Sequence, residues 1–302
     1  PMSARRQRQM CIRDSMNASP KISISGVVTN VSMTQGASAA VWTYYWQVPS
    51  NISSGTTLNV TATATDTNNL PYSGNASLTL TISPTFYLAS NGVTIKCSGC
   101  SAGDTGMVSG VLYTAHDNTS LANKNRTDTD WDRVVTTLVT DMSGLFDSTL
   151  GSLASQNRAF NQNLSSWDTS NVTNMSRMFI GNVSLSSANQ NFNSWDTSKV
   201  TDMSYMFAST DNMNPQITSW DVSSVNNMEW MFFNCRLFNQ AIGSWDVSSV
   251  TNMSVMFSQT DYFNQNIGSW NTSSVTNMGS MFYSALEFNQ NIGGWDVSKV
   301  TN

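Results

Sequence analysis

Tryptophan recurs through the second half of the chain at a fixed interval, and that interval limits the fold more than any other feature. Trp167, Trp195, Trp220, Trp245, Trp270 and Trp295 are separated by 28, 25, 25, 25 and 25 residues. Their surroundings recur with them: FNQAIGSWDVSSVTNMSVMF at 238–257, FNQNIGSWNTSSVTNMGSMF at 263–282 and FNQNIGGWDVSKVTN at 288–302. Earlier copies read FNQNLSSWDTSNVTNMSRMF at 160–179 and NPQITSWDVSSVNNMEWMF at 214–232. A divergent opening copy, VVTTLVTDMSGLF, runs from Val134 to Phe146 after Trp131. One copy cannot bury enough apolar surface to hold itself in one conformation, whereas stacked copies complete each other's core.

Spacing inside a copy suggests its type. Ile242, Trp245, Val247 and Val250 sit at i, i+3, i+5 and i+8, the apolar skeleton of a leucine-rich repeat with Trp and Val in place of Leu. This predicts a short parallel strand with Trp245 and Val247 on one face. Met253, Met256 and Phe257 follow at the spacing of one helical face, with Thr251 and Asn252 placed to cap a short helical turn. The six tryptophans with Met253, Met256 and Phe257 are the expected core. Phe238 opens its copy on an apolar residue, and Asn239 is expected to bond the backbone of its own turn. Pro215 and Asn226 depart from the pattern, and an insertion between Phe179 and Ala188 offsets two early copies. The last copy stops in mid-motif at Asn302, so we expect a fragment truncated at its C-terminus and at its N-terminus as well.

The rest of the chain divides by pattern. Residues 1–15 (PMSARRQRQMCIRDS) hold four of the fourteen basic residues and no apolar period, and resemble translated adaptor sequence. We set them apart as a non-native or disordered tail. Over 16–84, Ile22 and Ile24 alternate with Ser. Leu58, Val60, Ala62 and Ala64 share one face, and Leu78, Leu80 and Ile82 share another. Val41 to Val48 is aromatic on both parities. Turn residues at Gly26, Gln35-Gly36, Pro49 to Gly55 and Asn68 to Gly74 complete the pattern of a small β-sandwich. Residues 85–130 read as a connector, with a hairpin of Phe86 to Ala89 and Val93 to Lys96 about Asn91-Gly92. A second apolar run, Met107 to Thr114, is expected to pair with it. The array occupies 131–302. The expected fold class is therefore mainly β with short helices: a small sandwich followed by a solenoid of parallel strands and short helical turns.

Composition narrows the function. A single histidine, His116, excludes His-based triads and multi-His metal sites. From residue 16 onward 10 basic residues face 18 acidic ones, a net of −8, which argues against nucleic acid as a partner. No apolar stretch approaches the roughly 18 residues of a membrane span. Cys97 and Cys100 (CSGC) lack the βαβ setting of a redox pair, and zinc would need two further ligands from Cys235 and His116. A short-range disulfide in an exported protein is the favoured reading, with free thiols as the alternative.

Two sets of residues are candidates for ligand contact. Asp168, Asp196, Asp221, Asp246 and Asp296, with Asn271, follow each Trp and would form an outward ladder on the concave face. Parallel neighbours about 4.8 Å apart repel by about 0.8 kcal/mol even in water. Calcium would offset this, as would hydrogen bonds from nearby Ser hydroxyls and backbone N–H groups. A glycosidase pair needs two carboxyls in a cleft, one with a raised pKa. A repeated, exposed ladder offers no such pair, so we expect a non-enzymatic chain with no cofactor. The second set lies between the two Met of each copy, where Arg177, Tyr205, Trp230, Val255 and Ser280 vary, and on the following turns, where Phe233, Tyr262 and Tyr283 stand.

The motif F-N-Q-x-I-x-x-W-D-V-S-x-V-T-N-M-S-x-M-F resembles the BspA-like surface-protein family of bacterial leucine-rich repeats. NGVTIKCSGCSAGDTG and VTTLVTDMSGLF look like its pre-repeat segment, so the resemblance covers about residues 85 to 302. TLNVTATATDTNN followed by ASLTLTI resembles bacterial immunoglobulin-like repeats. The resemblance implies an extracellular or cell-surface protein that binds or adheres to protein or glycan ligands, without catalytic residues. A structural stalk, or an accessory module of a larger secreted protein or enzyme, is the alternative.

Overall fold

The structure is a computed structural model that describes residues 7–13, 19–24, 28–35, 41–47, 57–65, 71–79, 84–149, 151, 153–186 and 190–302. The expected turns at Gly26, Gly36, Pro49 to Gly55 and Asn68 to Leu70 lie outside these residues, as do Leu80, Ile82 and the two ends of the N-terminal tail. The chain is mainly β with few short helices and small sheets, and divides into two compact units, Pro1–Ser83 and Pro84–Asn302.

The first unit holds β1 (Gln7–Arg13), β2 (Lys21–Ile24), β3 (Val28–Ser32), β4 (Thr34–Gln35), β5 (Val41–Gln47), β6 (Thr57–Thr65) and β7 (Pro71–Thr79). They form two antiparallel sheets, β3-β2-β6-β7 and β1-β5-β4. Alternation places the core: Ile22 pairs with Ala62 and Ile24 with Val60, and all four side chains are buried. Two expectations need correction. Pro71 to Gly74 belong to β7 rather than to a turn, with Pro71 at the first strand position, where its missing N–H is tolerated. Gln7–Arg13, set apart as a tail, pair along β5, so that β5 is hydrogen-bonded on both edges.

The second unit opens with β8 (Thr85–Leu88), β9 (Ile95–Ser98), β10 (Thr105–Val108) and β11 (Val111–Ala115). β8 and β9 form the expected hairpin with a longer loop than Asn91-Gly92 suggested. The Asn91 side chain accepts the N–H groups of Val93 and Thr94 and so delays the second strand. The second apolar run does not add to that hairpin. It folds on itself as β10 and β11, turning at Ser109 and Gly110, both left-handed (φ 51° and 83°), and β11 then pairs in parallel with β12 (Val134–Val135). Cys97 and Cys100 are joined by a disulfide, and Cys97 packs with Phe86, Ile95, Val108, Ala115 and Val135. Helix α1 (Asn118–Ala122) is closed by a capping box between Asp117 and Ser120. Helix α2 (Ala154–Ala159) follows the opening copy.

From there the copies stack. Parallel bridges link Asp141, Asn174, Asp202, Asn227, Asn252 and Asn277, the residue before the first Met of each copy. Around Met253 the backbone N–H groups leave alternately in two directions. Met253, Val255, Phe257 and Gln259 donate to the carbonyls of Asn277, Gly279, Met281 and Tyr283 in the next copy at 2.8–2.9 Å. Met256, Ser258 and Thr260 donate to Met253, Val255 and Phe257 of their own copy at 3.2–3.3 Å. Ser254 N–H donates to Asn252 Oδ1. Every N–H from 253 to 260 thereby has an acceptor. The alternation recurs at Met175, Arg177, Phe179 and Gly181 and at Met203, Tyr205, Phe207 and Ser209.

This backbone requires left-handed residues. Val255 and Gln259 lie at φ 60° and 58°, and Arg177, Tyr205, Trp230 and Ser280 at 55–59°. The opening copy has Gly144 in the same column, at φ 62°. Residues 253–257 are therefore a run of turns and not the expected helical turn, although Met253, Met256 and Phe257 are fully buried. The strand expected over Trp245 to Val247 is likewise absent. Trp245 N–H turns back to Ile242 O at 3.1 Å and Val250 N–H to Val247 O at 2.9 Å, so this segment spends its donors locally. Asn239 also differs from expectation. Its Oδ1 accepts the Asn264 N–H (3.1 Å) and Gln265 Nε2 (2.8 Å) of the next copy, and Asn214 and Asn264 do the same for their neighbours.

Inside the stack, aromatic rings run in columns. Trp167, Trp195, Trp220 and Trp245 stack with centroids 6.3–6.5 Å apart and planes within 6°. Phe146, Phe179, Phe207, Phe232, Phe257 and Phe282 follow at 5.5–5.8 Å. Each such pair adds about 0.5–1.5 kcal/mol to the burial of its rings. The columns pass unbroken across the insertion after Phe179. Five indole N–H groups reach a carbonyl in the preceding copy, among them Trp270 to Ile242 O and Trp295 to Ile267 O. Trp245 Nε1, next to the copy that carries Pro215, is buried without an acceptor among the described residues.

A left-handed Val255 makes a prediction opposite in sign to a helical one. Left-handed backbone costs a non-glycine residue about 1–2 kcal/mol, partly offset by the chain entropy of glycine. Val255→Gly is therefore expected to raise the unfolding free energy by roughly 0.5–1 kcal/mol in a urea titration. A loss of that size is what a helix would give.

Candidate functional site

The Asp that follows each Trp closes its own turn. Its Oδ1 accepts the N–H of the Ser two residues on at Asp168, Asp196, Asp221, Asp246 and Asp296, and Asn271 does the same for Ser273. The Ser hydroxyl also donates to it at Asp168, Asp196 and Asp221, at 2.6–2.7 Å. Hydrogen bonds from Ser223 and Ser248 hold the Asp221 and Asp246 carboxyls below the ordinary carboxylate range. The ladder is exposed at Asp196, Asp221, Asp246, Asn271 and Asp296. These Ser donors satisfy the carboxylates from within the copy, the second of the two ways of offsetting their repulsion. Among the described residues no group of three His, Cys, Asp or Glu side chains is placed to hold a metal ion.

Asp168 departs from the others. It is 2% exposed and ion-paired to Lys96 Nζ of β9 at 3.0 Å, with Thr137 Oγ1 donating at 2.8 Å. Burial pushes its pKa up, but Ser170, Thr137 and Lys96 together outweigh burial and hold it low. Asp168 thus ties the β8–β9 hairpin to the array and is a joint rather than a ligand contact. Lys96 was not singled out in the sequence, because nothing local signals a partner 72 residues away.

The variable column forms the most distinctive surface. The left-handed conformation aims successive side chains along one line. Arg177 lies over the Tyr205 ring (5.7 Å), Tyr205 stacks on Trp230 (5.6 Å, 10°), and Trp230 meets Phe233 edge-on (4.4 Å, 62°). Asp147 of the opening copy fixes the other side of Arg177 through Oδ2, 2.8 Å from Nη2 and 3.0 Å from Nε. Tyr205, Trp230 and Phe233 are half-buried, and the ring faces of Tyr205 and Trp230 cover each other. Tyr262 and Tyr283 are 56% and 64% exposed, and Leu237, in the copy before Tyr262, is exposed as well. Cys235, on the turn of the third copy, is buried and free, and burial pushes its thiol up to about 12.

No helix among the described residues is long and apolar enough to cross a membrane. The family model described as "Mycoplasma protein of unknown function, DUF285" matches residues 114–231 and 208–302, which together span more than half of the chain. No curated protein and no solved structure matches it.

The Lys96–Asp168 joint is testable. Lys96→Met leaves a buried carboxylate without its cation and is expected to lower the unfolding free energy by about 2 kcal/mol at neutral pH, a figure reduced because Lys96 reaches solvent. Asp168 is held low, so this stabilisation is present at neutral pH and is lost as pH falls below 3.8 through the folded value. The gap between wild type and variant, read by urea titration, should close in that range. A gap that persists there contradicts the assignment.

Proposed function

Since the chain belongs to the DUF285 family, we propose that it works as an extracellular, non-enzymatic binding or adhesion module of BspA-like type, with a leucine-rich-repeat-like solenoid and an immunoglobulin-like domain ahead of it. The observation that carries this reading is the variable column. Residues at one structural position change from copy to copy, as Arg177, Tyr205, Trp230, Val255 and Ser280, while the Trp, Met and Phe around them hold constant. A constant frame that presents changing side chains in a line suits recognition of an extended protein or glycan. Tyr262 and Tyr283 stand exposed on turns that follow the column in the sequence of their copies. Aromatic residues supply large contact area at low entropic cost. Low charge and a surface rich in Ser, Thr and Asn fit an exported protein.

A spacer role is the second reading, favoured by one feature. The rings of Tyr205 and Trp230 satisfy each other's faces, as stacking for stability alone would require. The two readings separate on an array of extracellular proteins and glycans probed with the whole chain. A binding module retains a ligand, and Tyr262→Ala weakens that binding about tenfold or more with unchanged near-UV circular dichroism. A spacer retains nothing above background, which overturns the proposal.

A further inference from the structure

The copies pass backbone hydrogen bonds in one direction. Each gives N–H groups to the copy after it and offers carbonyls to the copy before it, as Met281 O and Tyr283 O accept from Phe257 and Gln259. Before the opening copy stand α1 and the segment after it instead. In the opening copy the same two carbonyls belong to Leu145 and Asp147, both buried, and side chains serve them. Arg126 Nη2 donates to Leu145 O at 2.7 Å and Asn157 Nδ2 to Asp147 O at 2.6 Å. Arg126 also takes the place of a ring. Its Cζ lies 5.6 Å over Phe146, the first ring of the phenylalanine column, whose members are 5.5–5.8 Å apart. Its Nε donates to Asn157 Oδ1 (3.2 Å), and Nη1 to the carbonyls of Ala122 (2.9 Å) and Lys124. The two capping side chains are thus tied to each other and to the end of α1, and both are buried.

The other edge of the array is of the opposite kind. The N–H groups of Ser280, Phe282 and Ser284 hold the positions from which Val255, Phe257 and Gln259 cross, and no acceptor among the described residues meets them. A donor edge cannot pair with a second donor edge, so its complement is a row of carbonyls in the spacing of this same backbone. The opening copy of a second chain has that row. Such a contact joins unlike surfaces and does not close on itself, so it would continue into a filament. We propose that Arg126 and Asn157 are a stop: they hold the carbonyl edge of the opening copy against the donor edge of a second copy of this chain, and so prevent end-to-end stacking. This accounts for a buried guanidinium whose hydrogen-bond partners are all neutral, since it imitates a neighbouring copy rather than meeting a carboxylate. The stop is independent of what the variable column binds.

Sedimentation velocity of the whole chain tests this. The wild type is expected to remain one monomeric species as its concentration rises. Arg126→Met keeps much of the side chain and removes its donors, and Asn157→Leu does the same at the second position. In the double variant the mean mass is expected to rise at least about twofold over an about tenfold rise in concentration, as a ladder of end-to-end oligomers. Adding Phe282→Asp, which sets a charge in the ring column at the donor edge, should return that variant to a monomer. Asn157→Leu alone leaves the guanidinium in place, and it carries the same test with a smaller shift if the double variant loses its near-UV circular dichroism. Growth of the wild type into the same ladder, a variant that keeps its near-UV signal and stays monomeric, or oligomers that survive Phe282→Asp would each overturn the proposal.

Discussion

The stack depends on how the Met-x-x-Met-Phe backbone divides its donors. One N–H closes a turn within its own copy and the next crosses to the following copy, so each copy is both folded and joined by the same eight residues, 253–260 in the copy around Met253. Neither half of that arrangement stands alone. The turns need left-handed residues, which are unfavourable for side chains such as Val255 and Trp230. The crossing bonds and the aromatic columns they align supply what offsets that strain. The cost is thus local and the compensation lies between copies, as expected of an array whose single copies are unstable.

Much of this was legible in the sequence, and the exceptions have physical causes. A period of 25 residues located the copies, and alternation found Ile22, Ile24, Val60 and Ala62 as core. Burial of Trp245, Val247, Met253, Met256 and Phe257 followed from spacing, but the backbone that buries them did not. Apolar spacing reports which side chains face inward and is indifferent to whether a helix or a series of turns brings them there. Only the column Gly144, Arg177, Tyr205, Trp230, Val255, Ser280 held a clue, since glycine in its first copy marks a position where left-handed backbone is easy. The recurrent F-N-Q was visible without its meaning, because Asn239 acts on a residue one full copy away.

The candidate sites divide in the same way. The Asp ladder was read as repelling charge that needed relief, and the relief is local: the Ser two residues on donates to each carboxylate. Asp168 instead joins the pre-repeat hairpin to the array through Lys96. Variation at this backbone position is what such a scaffold permits, because it lies outside both the ladder and the core.

The central claim is that the 25-residue copy is the unit of folding and stacking. The most direct test compares thermal melts, followed by near-UV circular dichroism, of two deletions of the chain. Removing 238–262, one full period, keeps every column and ladder in register. It should leave a cooperative melt and the signal of stacked indoles, at somewhat lower stability. Removing 238–250, about half a period, sets the Trp column against the wrong neighbours and should abolish both. Equal melts from the two deletions would contradict the account.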